Sequence, residues 1–237
     1  MNSVSMPMRY RFAPVLACFV ASTAFGAINH AAILQEAANA MADDYMQEWA
    51  YTETSIESET HTVGRYDPRQ TKGERWQLLS VDGRTPSVEE IADYAEEKED
   101  DNGSSSADDG NHDVSDVAEP GSLRLIGETD DYWLYSFTPV DDDDAEKFMK
   151  HIDATMKIVK DGPYIEYIDM HSNKPFKPQF GVKVKEFVTR LMFGPAADGG
   201  PIVPLSVDVR VKARAFIAIG IDESTSISFS DYEYVGD

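Results

Sequence analysis

The chain has 237 residues, of which 43 are acidic and 21 basic, so its formal net charge is −22. Binding of nucleic acid depends on clustered Lys and Arg, and a charge this negative excludes nucleic acid as the main partner. Hydrophobic residues make up 42% of the chain and aromatic residues 11%. This is enough for a folded core and excludes a fully disordered protein, while the length suits one large domain or two small ones.

Residues 1–26 have the pattern of a secretory signal peptide. Arg9 and Arg11 precede an apolar run that extends to Phe25, and no acidic residue lies among them. This arrangement predicts export from the cytoplasm. Cys18, the only cysteine, lies in a segment that resembles a lipobox, but the apolar run before it is shorter than a lipoprotein signal requires. We therefore expect removal of this cysteine with the signal peptide rather than a lipid anchor attached to it.

Two segments outside the acidic region predict helices. Residues 29–44 contain small and apolar contact positions and neither Gly nor Pro, which favours an N-terminal helix. A short helix is expected at residues 144–151, because the four aspartates of residues 141–144 place negative charge at its N-terminus.

A further helix leads into the most acidic part of the chain. It begins near Ser87, which forms a capping-box pattern with Glu90. Its expected apolar stripe comprises Val88, Ile91 and Tyr94 or Ala95. Residues 89–119 contain 13 acids and a single base, Lys98. The middle of residues 96–119 has no aromatic residue and no aliphatic residue larger than alanine, so we expect these residues to form an acidic, disordered insertion.

The remaining segments have the features of β-strands. Apolar and polar residues alternate most clearly over residues 205–219, as is typical of an antiparallel sheet with one buried face. About ten strands with few helices predict a mainly β (α+β) fold, in which a strongly curved antiparallel sheet forms a half-barrel. The predicted strands cover residues 49–57, 60–66, 75–81, 123–127, 132–139, 154–160, 164–171, 182–193, 205–219 and 226–235.

Two segments carry a resemblance to a known periplasmic fold. They are RWQLLSVDGRTPS at residues 75–87 and PFKPQFGVKVK at residues 175–185. With the signal peptide and the order of helices and strands, they make the chain similar to a group of uncharacterised proteobacterial envelope proteins of the LolA/LolB-like fold. The resemblance implies one LolA-like domain over residues 27–237. Its N-terminal helix and helical insertion would lie on the concave side of the curved sheet.

The resemblance also implies a function. Proteins of this fold shelter acyl chains on a concave apolar face, carry lipids or lipoproteins across the periplasm, or sense envelope stress. We therefore expect a non-enzymatic periplasmic protein that binds a lipid or the acyl chains of a lipidated partner and needs no cofactor. The alternative is an envelope-stress sensor or regulatory protein of similar fold, whose partner is an envelope protein. Both functions allow peripheral contact with a membrane.

An acyl-chain cavity needs walls that are largely free of charge, because burying an unpaired polar group is unfavourable. Aromatic residues at alternate strand positions are candidates for these walls, and the same positions also suit an ordinary core. The candidates for ligand binding are Trp49, Tyr51, Trp76, Trp133, Tyr135 and Phe137.

Five basic residues predict a positively charged stripe on the sheet. Lys183 and Lys185 alternate on one predicted strand, and Arg210, Lys212 and Arg214 alternate on the next one. If these strands pair, the stripe suits anionic lipid headgroups or the acidic insertion itself. The same alternation is also typical of a plain solvent-facing surface.

Signatures of catalysis and metal binding are missing from the sequence. It has no G-x-S-x-G, no H-E-x-x-H, no P-loop and no dinucleotide-binding glycine pattern. The five histidines show no ligand spacing, and the partial calcium-loop pattern has Lys98 where an acidic ligand is needed. We therefore expect no enzymatic activity, no catalytic residues and no metal site. A hydrolase that uses a carboxylate pair is the least favoured alternative.

Overall fold

The computed structural model of the protein describes residues 29–41, 45–104, 118–119, 121–140, 146–197, 200–216 and 219–236. The predicted signal peptide and residues 105–117 of the predicted insertion lie outside the described residues.

Ten strands form a single antiparallel sheet that is not closed, which confirms the mainly β class and the expected number of strands. In chain order they are β1 (Trp49–Glu57), β2 (Thr60–Tyr66), β3 (Trp76–Val81), β4 (Arg124–Glu128), β5 (Tyr132–Phe137), β6 (Ile152–Val159), β7 (Tyr164–Ser172), β8 (Val182–Pro195), β9 (Ile202–Ala215) and β10 (Ile219–Tyr234). Their spatial order is β3-β2-β1-β10-β9-β8-β7-β6-β5-β4.

The sheet consists of two meanders that join at one pair of strands. Strands β1 to β3 form the first meander and β4 to β10 the second, and each strand within a meander pairs with its neighbour in the chain. Among the described strands, only the pairing of β1 with β10 connects strands that are distant in sequence, as in the pair of Glu53 with Phe229. This pairing makes one sheet out of two.

The expected strand over residues 205–219 is wrong at its C-terminal end. Strand β9 ends at Ala215, and Ile219 already belongs to β10 and pairs with Ala215. Phe216, the first residue after β9, has a φ of 52°, in the left-handed region that strand residues do not adopt. The apolar alternation continues across this reversal because β9 and β10 turn their apolar residues to the same side of the sheet.

The structure has four helices within the described residues, two of which are longer than four residues. They are α1 (His30–Asn39), α2 (Tyr45–Glu48), α3 (Val88–Ser104) and α4 (Glu146–Met149). The predicted capping box at the start of α3 is confirmed. The Ser87 hydroxyl accepts a hydrogen bond from the Glu90 backbone N–H at 3.2 Å, and the Glu90 carboxylate accepts one from the Ser87 N–H at 2.7 Å.

Helix α3 changes the expectation of disorder over residues 96–119. The helix continues to Ser104, so residues 96–104 are helical. Its capping box and the helix-forming Glu, Lys and Ala residues in its sequence favour propagation well into the acidic stretch. Val88 and Ile91, which were expected on its buried stripe, are 86% and 42% exposed. Tyr94, which was also expected on this stripe, does pack against the sheet.

Both longer helices cover the same face of the sheet, which we call the helix face. Paired residues of an antiparallel sheet point to one side, so a row of pairs can be followed across all the central strands. This row comprises Tyr135, Met156, Ile168, Leu191, Val207, Ile227 and Ser55. Helix α1 packs at one end of the row, where His30 Nδ1 is hydrogen-bonded to the Tyr135 hydroxyl at 2.7 Å. Helix α3 packs at the other end, over β1 to β3.

Three hydrophobic clusters form the core. The largest joins α1 to strands β5 to β9 and is centred on fully buried Tyr135, Met156 and Ile158. A second lies between β6, β8 and β9 around Phe176. The third consists of Tyr51, Tyr66 and Trp76 beneath Tyr94 of α3.

Contact between α3 and β2 depends on a glycine. A Cβ atom at position 64 would lie 2.1 Å from the hydroxyl oxygen of Tyr94, far inside van der Waals contact. We expect Gly64→Ala to displace Tyr94 and to lower the free energy of unfolding by about 1–3 kcal/mol, measured by urea unfolding. Gly127→Ala is the control, because its Cβ would meet Leu134 at an ordinary 3.5 Å. Equal effects of the two substitutions would contradict the close approach of α3.

The start of α3 should also depend on pH. The guanidinium of Arg84 donates hydrogen bonds to Glu90 and lowers the pKa of this carboxyl from 4.5 to about 2. Because the folded pKa lies below the unfolded one, the contact stabilises fully above about pH 4.5 and loses its effect as the pH falls to 2.

Thermal unfolding tests this dependence. Glu90→Gln should melt below the wild type at neutral pH and together with it at pH 2, where the wild-type carboxyl is half protonated or more. Glu89→Gln removes the same charge from the same helical turn and serves as the control. A melting difference for Glu90→Gln that is unchanged at pH 2 would show that the contact does not depend on ionisation.

Candidate functional site

The six predicted aromatic residues do not form one wall within the described part of the chain. Tyr51 and Trp76 belong to the cluster beneath α3, while Tyr135 and Phe137 belong to the cluster beneath α1. These four side chains are at most 6% exposed, so they are core residues of the sheet.

The two remaining aromatic residues are half-buried at the margins of these clusters. The ring of Trp49 packs edge-on against Tyr234, with 5.2 Å between ring centroids. Trp133 donates a hydrogen bond from Nε1 to Glu128 at 3.1 Å, and the Lys160 ammonium lies 4.7 Å from its ring. Their participation in ligand binding stays a prediction.

Between the two helix-covered regions, the helix face carries a row of smaller apolar side chains. Strand pairing aligns Leu191 with Val207 and Val207 with Ile227, and it places Val209 beside Thr225. We call these five residues the central apolar strip. All five are half-buried, whereas the clusters on both sides contain fully buried residues. The strip is the apolar part of the helix face that the two longer helices cover least.

Sequence alternation did not single out this strip, because its valines look like any other core positions. The strip residues differ from the core residues only in that the two longer helices cover them less. Which residues are covered depends on where α1 and α3 pack. The order of the strands therefore had to be known before the strip was visible.

An ion pair between a buried glutamate and a half-buried lysine borders the strip on the side of α3. Glu53 of β1 is 5% exposed, and its carboxylate accepts an ionic hydrogen bond from Lys98 of α3 at 2.6 Å. The Lys98 ammonium also lies 5.1 Å from the ring centroid of Trp76. Nearby, Ser55 Oγ and the Tyr94 hydroxyl have no hydrogen-bond partner within the described residues. Burial raises the pKa of Tyr94.

The polar groups around this ion pair enclose a small cavity with a volume of 110 Å³. Its lining comprises Glu53, Ser55, Glu57, Thr60, Thr62, Tyr94, Glu97 and Lys98. A signal for it was present in the sequence, because Glu53 interrupts the buried side of β1 between two residues of the same face, Tyr51 and Ser55. The ion pair and the packing of Tyr94 connect α3 to the sheet beside this cavity.

Removal of Lys98 leaves a buried carboxylate without its cation. We expect Lys98→Met to lower the free energy of unfolding by about 3 kcal/mol, because an uncompensated buried charge is costly. The double substitution of Glu53→Gln with Lys98→Met should recover part of this loss in urea unfolding, since no charge then remains buried. A double variant that is as unstable as the sum of the single variants would contradict coupling between the two residues.

Four bases of the predicted stripe, Lys183, Arg210, Lys212 and Arg214, lie on the face opposite the helix face, and Lys185 lies at a register shift between Val184 and Glu186. Strands β8 and β9 pair as expected, with Lys183 directly opposite Arg214. Lys212 is hydrogen-bonded to Glu186 at 2.9 Å, which lowers the pKa of this glutamate. The remaining bases of the stripe, Lys183, Lys185, Arg210 and Arg214, are exposed.

At one end of this stripe the strands meet in an apolar and basic depression, which we call the basic tip. It is open to solvent, has a volume of 730 Å³, and includes parts of the β7–β8 and β9–β10 connections. Its lining residues are Lys177, Phe180, Gly181, Val182, Lys183, Arg214, Phe216 and Ile219.

The described residues contain neither a cluster of metal-ligating side chains nor a membrane-spanning helix. Groups of three or more His, Cys, Asp and Glu side chains that suit a metal ion are absent from the part of the chain that the structure describes. Within the same residues, no helix combines the length and apolar character needed to cross a membrane.

Comparisons with known proteins leave the family open. No protein-family model matches the chain, and neither the curated proteins nor the solved structures contain a significant match to it. The relationship to LolA/LolB-like proteins stays a hypothesis.

Proposed function

We propose that the protein binds a lipid, or the acyl chains of a lipidated partner, along the central apolar strip. In this proposal the ten-strand sheet curves into a half-barrel, and α1 and α3 lie on its concave side. The single observation that carries the proposal is the difference in cover along the helix face. Helices bury the two ends of this face, while the apolar side chains of the strip between them are only half-buried.

The chemistry of the strip suits an acyl chain. Its five side chains carry no charge, and the only polar atom among them is the hydroxyl of Thr225. Burial of one methylene contributes about 0.8 kcal/mol, so ten buried methylenes contribute about 8 kcal/mol before the cost of association. A binding free energy of up to this size corresponds to micromolar or weaker binding, and no cofactor is needed to reach it.

The cellular setting belongs to the same proposal. The signal-peptide pattern of residues 1–26 supports export to the periplasm, where a carrier of the LolA/LolB-like kind would shield acyl chains from water. The proposed protein is not an enzyme, and its partners are lipids or lipoproteins.

A second candidate function is the sensing of envelope stress through a protein partner. It is favoured by two apolar side chains of α3, Val88 and Ile91, which are 86% and 42% exposed. Apolar residues exposed on one helix are typical of a surface that another protein covers. Here α3 would bind an envelope protein, and the strip would bind the lipid that regulates the contact.

Binding of a fluorescent long-chain fatty acid to the delipidated protein tests the leading proposal. Val209→Asn places a polar amide in the strip and should weaken binding about 10-fold, because one buried valine contributes about 1.5 kcal/mol. Val188→Asn is the matched control, since Val188 is 41% exposed on the neighbouring strand and points to the opposite face. Its affinity should equal that of the wild type.

Two results would overturn the proposal. One is a wild-type protein that shows no saturable binding at any probe concentration up to the solubility limit of the fatty acid, and the other is an equal effect of the two substitutions. Native mass spectrometry of the protein from its own cell envelope separates the two functions. Bound lipid supports the carrier, and a stoichiometric protein that dissociates in a Val88→Asp, Ile91→Asp variant supports the sensor.

A further inference from the structure

Two segments of this acidic chain contain no acid at all. Residues 172–185 include four lysines, and residues 209–221 include two arginines and one lysine, so seven bases stand without a single Asp or Glu. In a protein with 43 acids, this separation of charge creates local positive potential that the net charge of −22 conceals.

The fold brings the two segments together at the basic tip. Strands β8 and β9 pair Lys183 with Arg214, and the backbone N–H of Phe216 donates a hydrogen bond to the carbonyl of Gly181 at 2.5 Å. The first acids that follow the two segments in the chain, Glu186 and Asp222, both stand opposite Lys212, further along the strands. The positive charge is therefore concentrated at the outer end of the sheet.

The bases at this end are free to meet an external anion. Lys177, Lys183, Lys185 and Arg214 form no ion pair with any residue in the described ranges. All four are exposed.

Large apolar side chains project among these bases. Phe180 is 98% exposed, Phe216 is 68% exposed and Ile219 is 58% exposed. Each would be expected in a core or beneath another surface, because exposed apolar area of this size is unfavourable in water. All three line the same depression of 730 Å³.

The tip is held in shape by the rest of the fold. Phe176 anchors the β7–β8 connection, because it is buried and exchanges two backbone hydrogen bonds with Val184 at 3.0 and 2.9 Å. Gly181 has a φ of 81°, and a Cβ there would lie 2.9 Å from the ring of Phe216. Phe216 itself keeps a left-handed φ of 52°, which is rare for an aromatic residue. The aromatic rings are thus displayed on a defined backbone.

We propose that the basic tip docks the protein onto the surface of a lipid bilayer that contains anionic lipids. Lys and Arg near such a surface are attracted by its negative potential, and aromatic side chains favour the interface between headgroups and acyl chains. The tip combines both features at one edge of the molecule, while the acidic remainder of the chain is repelled by the same surface. Charge complementarity therefore also orients the protein, with the tip towards the membrane.

Docking is independent of acyl-chain binding along the central apolar strip. Phe180 and Phe216 lie at the end of the sheet, and none of the five strip residues lines the depression between them. Val209→Asn should accordingly keep full binding to vesicles, so that failure of one proposal is distinguishable from failure of the other.

Co-sedimentation with vesicles at low salt tests the docking. The wild type should bind vesicles of phosphatidylcholine and phosphatidylglycerol, release them as salt is raised, and bind pure phosphatidylcholine weakly. Lys183→Gln with Arg214→Gln should weaken binding about 30-fold, since each base at the surface contributes a factor of about five. The control is Lys72→Gln with Arg124→Gln, which removes two exposed bases from the β2–β3 connection and from the edge strand β4 and should leave binding unchanged.

The contribution of the aromatic residues is tested with a measurement that reports insertion of the side chain into the lipid interface and that does not change with charge alone. The emission of a Phe180→Trp variant should shift to the blue with anionic vesicles and not with soluble glycerophosphate. Phe180→Ser with Phe216→Asn should weaken vesicle binding about 10-fold, because two apolar side chains no longer enter the interface. Leu79→Ser, at a position that is 50% exposed on β3, is the apolar control.

Several results would overturn the proposal. These are no binding of the wild type to anionic vesicles, equal binding of the tip and control variants, or an unchanged emission of Phe180→Trp. A tip variant that changes the oligomeric state in light scattering and leaves vesicle binding intact would instead assign the tip to contact between copies of the chain. Circular dichroism of each variant establishes that the fold is retained.

Discussion

The pairing of β1 with β10 is the constraint on which the rest of the structure depends. It joins residues that are separated by most of the chain and converts two meanders into a single ten-strand sheet. Closing so long a loop costs chain entropy, which the ladder and the apolar contacts beside it must offset. Because β1 carries Glu53 beside Phe229 of β10, the same pairing places the ion pair of α3 next to the central strands.

One continuous sheet also separates the chemistry of its two faces. Strand pairing carries a row of mainly apolar residues along the helix face from β5 to β10, and on β8 and β9 alternation sends the paired bases to the opposite face. The two longer helices cover the ends of the helix face and leave the central strip with little cover. The basic tip follows from the same register. Strand β8 begins beside the residue at which β9 ends, and this places residues of the two acid-free segments side by side.

The elements were largely predictable, and the exceptions have physical causes. Alternation and turn residues predicted β1 and β2 with the observed bounds, and the Ser87–Glu90 pattern predicted the start of α3. The turn at Phe216 was not predictable, since an aromatic residue rarely adopts a positive φ and the apolar period continues on both sides of it. Val88 fits a helical stripe but is exposed, because α3 contacts the sheet through Tyr94 and Lys98 instead.

The amino-acid sequence by itself determined the local properties of this protein: its mainly β class, most of its strands, the cap of α3 and the position of its bases in two segments without acids. These properties depend on neighbouring residues, whose periodicity and capping chemistry can be read along the chain. Only the tertiary structure decided which distant strands pair, how the predicted aromatic residues divide between two clusters, and that Glu53 meets Lys98. The physical reason is that many strand partners satisfy the same alternation, and the choice among them rests on packing between residues far apart in sequence.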